Sequence, residues 1–218
     1  MNKERAARRV GLLGGTFDPV HLGHINLARQ MREKVGLTKV VLIPTFMPPH
    51  KDAAYAVPAQ DRLEMCRIAA GTDAGLGVSD IEIKRGGASY TFDTLTQLHA
   101  EYPDAVLYFI MGADMFLTLE QWRNFPGIAG LAELCAASRH GGETAVLSEH
   151  AKKLEALYGA RCHIEEIPVV DMSSTQIRAL IADGGDASAM LPEGVYEYIL
   201  RRGLYGASEI NRKIQYKG

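Results

Sequence analysis

Two short stretches of this sequence hold residues whose types and spacing suit phosphate chemistry. The first is Gly14-Gly15-Thr16-Phe17-Asp18-Pro19-Val20-His21-Leu22-Gly23-His24. A glycine turn lets backbone approach a phosphate closely, and a helix that starts there offers free N–H groups to the anion. His21 and His24 are three residues apart, so in a helical first turn they share a face and both can direct donors at phosphate oxygens. The second stretch is Asp171-Met172-Ser173-Ser174-Thr175-Gln176-Ile177-Arg178. Its hydroxyls stand at a predicted helix start with Arg178 one turn inside, a combination of amides, hydroxyls and guanidinium that fits a polyphosphate. A plain structural account also exists for each stretch: a tight turn beside a core histidine, and hydroxyls that cap a helix.

Familiar alternatives fail on spacing. The first block lacks the GK[ST] ending of a Walker loop and the GxGxxG of a dinucleotide fingerprint. His21, His24 and His50 do not form a zinc set at usual ligand spacing, so the metal expected is Mg²⁺ carried in with a nucleotide triphosphate.

These blocks need a scaffold. Val10 to Leu13 reads as a short buried strand, followed by a helix with Leu27, Ala28, Met31 and Val35 on one face, then by a second buried strand, Lys39 to Pro44. The alternation continues with a helix at Ala59 to Ala70, a strand at Gly77 to Ile83, a helix from Thr91, and a strong strand at Val106 to Met111. Weaker strands are expected at Leu131 to Ala137 and His163 to Val169, with a helix at Ser148 to Tyr158 between them. Helices at Ser173 to Ala182 and Glu193 to Arg202 follow. Strands alternating with helices predict an α/β fold, a Rossmann-like doubly wound parallel sheet, with ligands beyond the carboxyl ends of the strands. Residues 10–206 are expected to form one domain between tails 1–9 and 207–218, and Thr45 to Pro58 reads as a long loop beside the site.

The bulk composition narrows the partners. With 218 residues, 47% hydrophobic content and a formal charge of −2, nothing suggests a surface built to neutralise nucleic acid or an anionic membrane. Cys66, Cys135 and Cys162 are odd in number and widely spaced, which points to a reducing cytoplasm, and no run approaches a membrane span. A homo-oligomer is compatible with the sequence and not encoded in any motif.

With both blocks in view, the sequence resembles the nucleotidyltransferase superfamily and, within it, the nicotinate-nucleotide adenylyltransferases. Further matches are Pro48-Pro49-His50-Lys51, Ser79-Asp80-Ile81-Glu82-Ile83 with Ser89-Tyr90-Thr91, Met111-Gly112-Ala113-Asp114, Gln121-Trp122 and Tyr196 to Tyr205. The resemblance implies transfer of the adenylyl group of ATP to nicotinate mononucleotide, giving deamido-NAD and pyrophosphate. It implies that ATP meets Gly14, Gly15, Thr16, Phe17, His21, His24, Gly112, Asp114, Ser174, Thr175 and Arg178, with His21, His24 and Arg178 catalytic. Lys51 would hold the substrate phosphate, Tyr90, Thr91 and Trp122 would enclose the nicotinate ring, and Arg139 would add a substrate contact. Ala88, Met172 and His140 depart from the pattern usual beside these motifs. A sister adenylyltransferase acting on nicotinamide mononucleotide or phosphopantetheine, or a non-catalytic nucleotide-binding module, would use the same two blocks.

Overall fold

A computed structural model describes residues 8–48, 57–168 and 170–207. Among these residues six strands form the sheet: β1 (Arg8–Gly15), β2 (Lys39–Pro44), β3 (Leu76–Val78), β4 (Ala105–Gly112), β5 (Glu133–Ser138) and β6 (Cys162–Glu166), with β2 and β4 the contiguous apolar runs of strands covered on both faces and β6 a more polar edge. All neighbours pair in parallel, in the order β3-β2-β1-β4-β5-β6. The order reverses between β1 and β4, and that switch point is where a doubly wound sheet opens a crevice.

The two-residue period of a strand divides the core into two layers. Leu107, Phe109 and Met111 face one side of β4, with Leu95 and Leu98 of α4 (Thr91–Glu101), Phe125 and Ile128 of α6 (Phe125–Leu131) and Leu147 and Leu154 of α7 (Gly141–Tyr158). Tyr108 and Ile110 face the other, with α1 (Leu22–Val35), α2 (Ala59–Gly71), α8 (Ser174–Ala182) and α9 (Val195–Arg202). Two short helices, α3 (Ile81–Arg85) and α5 (Ala113–Phe116), extend the loops after β3 and β4. At Gly11 a Cβ would stand 2.7 Å from Leu37 and 2.9 Å from both Ile110 and Val40, so any side chain there would force these core methyls to shift.

Several predicted boundaries are corrected. The strand expected over Gly77 to Ile83 ends at Val78, and Ile81–Arg85 is α3, because Asp80 turns the chain and Lys84 closes on its carbonyl at 2.8 Å. The helix expected from Ser148 begins seven residues earlier: His140 accepts the Glu143 N–H and caps a helix that runs through Gly141 and Gly142. Leu131 belongs to α6, so β5 starts at Glu133, and β6 stops at Glu166. Arg8 and Arg9, expected in the tail, pair with Ala105 and Val106 within β1. No helix among the described residues is long and apolar enough to cross a membrane.

Candidate active site

Beyond Gly15 the chain leaves β1 through Thr16 and Phe17, and Phe17 adopts φ of 50°, a left-handed conformation unusual for a bulky residue. Its ring is fully buried and meets the His24 ring edge-on, with centroids 4.9 Å apart. His21 is the N-cap residue of α1; its N–H donates to His24 Nδ1 at 3.2 Å, and the two imidazoles stack at 3.7 Å. Burial and the neighbouring His21 push His24 from the ordinary 6.5 down to about 3, and burial takes His21 down to about 4. Both rings are therefore neutral near pH 7. Because Nδ1 of His24 accepts, its proton resides on Nε2, which makes that atom a donor. The glycine between the histidines lets the turn pack closely: a Cβ on Gly23 would lie 3.0 Å from the His21 ring and 3.3 Å from Met172, so both would have to give by a few tenths of an ångström.

Met172 introduces the second block, and its sulfur accepts the Gly23 N–H at 3.3 Å. Ser173 caps α8 by accepting the Gln176 N–H. Ser174 Oγ donates to the Pro19 carbonyl at 2.9 Å, and Arg178 donates to the Asp18 carbonyl at 2.6 Å and to Thr175 Oγ1 at 3.2 Å. Segments some 150 residues apart in sequence thus meet around one loop. Helix α2 and the turn after α9 add two further ties: Arg62 donates to the Thr16 carbonyl at 2.6 Å, and Tyr205 to Asp18 Oδ1 at 2.8 Å.

A cavity of about 540 Å³ opens at the switch point. Gly14, Gly15, Thr16 and His24 of the first block line it together with Tyr90, Thr91, Trp122 and Arg123 and with Gly112 at the end of β4. Tyr90 precedes α4 and leaves its N-terminus without a side-chain cap, so first-turn N–H groups are available to an anion. Ser89 fixes this corner, its Oγ accepting the Phe46 N–H at 3.1 Å and its own N–H donating to the Met47 carbonyl at 2.7 Å.

The expected site residues divide by position. Gly14, Gly15, Thr16, His24, Tyr90, Thr91, Gly112 and Trp122 line the cavity. Phe17, His21, Ser174, Thr175 and Arg178 border its glycine-rich end without forming its wall. Asp114 and Arg139 stand apart, 92% and 62% exposed in their side chains and 4.0 Å from each other. Lys51 lies outside the described residues, as does His50.

Sequence reasoning missed four residues. Arg123 lies over the Tyr90 ring at 4.4 Å and pairs with Asp93 at 3.1 Å. Glu82, buried beside the cavity, accepts from Thr94 Oγ1 at 2.7 Å, and Arg85 donates to the same hydroxyl at 2.9 Å. Glu82 sits in a matched block but reads as a strand residue, and Thr94 reads only as a helix position. The fourth, Arg62, has no motif around it. Among the described residues no cluster of three or more His, Cys, Asp or Glu side chains could hold a metal ion.

A family model described as cytidylyltransferase-like matches residues 12–180. A protein from Desulfitobacterium hafniense (strain Y51), named "Probable nicotinate-nucleotide adenylyltransferase", is 40% identical, covering 94% of this chain and 99% of its own. A Geobacter sp. (strain M21) protein of the same name is 36% identical, covering 90% and 98%. Among solved structures, the Plasmodium falciparum nicotinic acid mononucleotide adenylyltransferase complexed with NaAD superposes with a TM-score of 0.72, covering 91% of this chain and 98% of that one. At 15% identity that likeness speaks to the fold.

Proposed function

The chain belongs to the cytidylyltransferase-like family and, within it, to the nicotinate-nucleotide adenylyltransferases, and from that premise we propose that it joins the adenylyl group of ATP to nicotinate mononucleotide. The products are nicotinate adenine dinucleotide and pyrophosphate, and the reaction belongs to NAD biosynthesis. The observation that carries the reading is that the second block is hydrogen-bonded to the loop of the first, whose Gly14, Gly15, Thr16 and His24 line a cavity shared with Trp122 and the uncapped start of α4.

Adenylyl transfer asks for positioning and charge stabilisation rather than a covalent intermediate: the mononucleotide phosphate attacks the α-phosphorus in line as pyrophosphate leaves. His24 donates from Nε2 to the α-phosphate oxygen that gains charge, without proton transfer, since its ring is already neutral. His21 stacks behind it and sets its orientation. Arg178, with Ser174 and Thr175, faces the departing pyrophosphate from the α8 N-terminus, and Lys51 orients the attacking phosphate. Nicotinate stacks on Trp122 with its carboxylate at the first turn of α4. A carboxylate only accepts hydrogen bonds, whereas an amide would set its NH₂ against those same donors. We assign Asp114 to a ribose hydroxyl and Arg139 to the substrate side, which requires them to turn in from their exposed ion pair.

The donor set of imidazole, guanidinium, hydroxyl and peptide N–H suits phosphate oxygens, which themselves would hold the Mg²⁺ that accompanies ATP. Bound there, the ion would neutralise leaving-group charge. The free cysteines suit the reducing cytoplasm in which we place the enzyme.

The test offers the protein ATP and Mg²⁺ with nicotinate mononucleotide, nicotinamide mononucleotide or phosphopantetheine in turn, and follows pyrophosphate release. Release is expected with nicotinate mononucleotide in preference to the other two. Release with phosphopantetheine alone would overturn the reading.

A further inference from the structure

The Arg62 side chain is 0% exposed, and a guanidinium removed from water is costly unless its donors are well used. It projects from α2, a helix whose neighbouring buried positions are Leu63, Met65 and Cys66, and it ends on the Thr16 carbonyl, behind the phosphate-type loop. The loop needs such a hold. Phe17 keeps a left-handed φ of 50°, and a non-glycine residue stays in that region only where its surroundings over-determine it. In a trans peptide the C=O and N–H point in opposite directions. With the Thr16 carbonyl turned into Arg62, the Phe17 N–H is turned the other way, and among the described residues it has no acceptor.

We propose that Arg62 is a positioning residue for adenylyl transfer: it acts through the Thr16–Phe17 peptide, presenting the Phe17 N–H to an ATP phosphate beside His24. The neighbouring ties work in the same direction. Arg178 holds the next carbonyl, that of Asp18, and Tyr205 holds the Asp18 carboxylate, so side chains from α2, α8 and the turn after α9 converge on one loop. Tyr205 feels all three, its phenol raised by burial and by Asp18 while Arg178 and Arg62 oppose the rise. Arg62 adds a fixed positive charge behind the phosphates without touching them.

This inference rests on the ATP-site reading, and its test separates the two. Arg62→Met, with Arg62→Lys as the alternative should the first not fold, is compared with wild type by steady-state kinetics and by calorimetry of ATP binding alone. The expected result is a kcat loss of up to about 10²-fold and an ATP affinity down by about 10-fold, with KM for nicotinate mononucleotide held within about twofold. Leu154→Ala, in the opposite layer, is the control for general destabilisation and should retain kcat. On the ¹⁵N-labelled wild-type protein, the Phe17 amide resonance should move on addition of ATP. The proposal is overturned by a folded Arg62 variant with wild-type kcat and ATP affinity, by equal losses in the control, or by a Phe17 amide that ATP leaves unmoved. ATP binding without pyrophosphate release from any acceptor would sink the enzymatic reading and leave these binding readouts standing, whereas a wild-type chain that binds no ATP would overturn both.

Discussion

In the role proposed for it, His24 carries two properties that usually compete, since it presents a donor to an anion and yet remains uncharged. The His21 N–H resolves the conflict by occupying Nδ1, and burial with the adjacent imidazole keeps the ring from taking a second proton. A donor fixed before substrate arrives needs no reorganisation as charge develops. His24→Ala is therefore expected to lower kcat by about 10² to 10³-fold while the far-UV circular dichroism stays that of wild type. The same geometry predicts the pH profile. With His24 down at about 3 and His21 at about 4, neither ring titrates in the free enzyme near neutrality. From about pH 5 to about pH 9, kcat/KM for ATP should show no limb with a histidine's ordinary midpoint. A limb near 6.5 that vanishes in His24→Ala would mean that imidazolium is the working species.

At the scale of elements, the pocket proposed for nicotinate beside Tyr90 and Thr91 depends on how α3 docks on α4. Thr94 is the pin, donating to Glu82 and accepting from Arg85. Thr94→Val keeps the shape and removes the hydroxyl, leaving a buried carboxylate oxygen without its donor at a cost of about 1–3 kcal/mol. We expect KM for nicotinate mononucleotide to rise roughly tenfold with KM for ATP unchanged, and Thr94→Ser to restore it; parallel rises in both constants would show a global defect instead. This junction also marks where the sequence stops being readable. The strands were legible because a sheet covered on both faces demands unbroken apolar runs such as Lys39–Pro44 and Ala105–Gly112. The two phosphate-type blocks were legible because glycines, histidines and capping hydroxyls cluster at helix starts. Ile81–Arg85 was not, since five residues that alternate apolar and charged read equally as strand or as a single helical turn. Gly141 and Gly142 resemble a break yet lie inside α7, because the His140 cap and its packing outweigh glycine's poor propensity. Arg62 stayed hidden for another reason: its partner is a backbone carbonyl 46 positions away, and a carbonyl leaves no signature in sequence.

For the whole molecule, titratable groups on α1 and at the end of α2, in one layer, make the fold sensitive to acid. Asp73 follows α2 and accepts from Arg29 at 2.7 Å and Arg32 at 2.9 Å, both on α1; these two guanidiniums hold its carboxyl well below the usual carboxylate range. A carboxylate with a depressed folded pKa contributes stability that is complete above its unfolded value near 3.8 and is lost as pH falls below it. The buried histidines act earlier. Unfolded, each takes up a proton near 6.5; folded, His21 and His24 resist until about 4 and about 3, so acidification from 6.5 downward favours the unfolded chain. For His24 alone the loss at about pH 5 amounts to roughly 2 kcal/mol, or a Tm lower by about 4–8 °C. Thermal unfolding of the ligand-free protein should thus weaken in two stages, the first between about pH 6.5 and pH 4, the second below. His24→Ala should flatten the first stage and leave the second. Asp73→Asn should lower Tm at neutral pH by about 2–4 °C, for a loss of about 1 kcal/mol, and flatten the second stage only. If ATP binds the folded chain at the histidines, as we propose, it should raise Tm in wild type at every pH of the first stage, and if the two variants instead traced the same curve as wild type, acid lability would have to arise elsewhere in the fold.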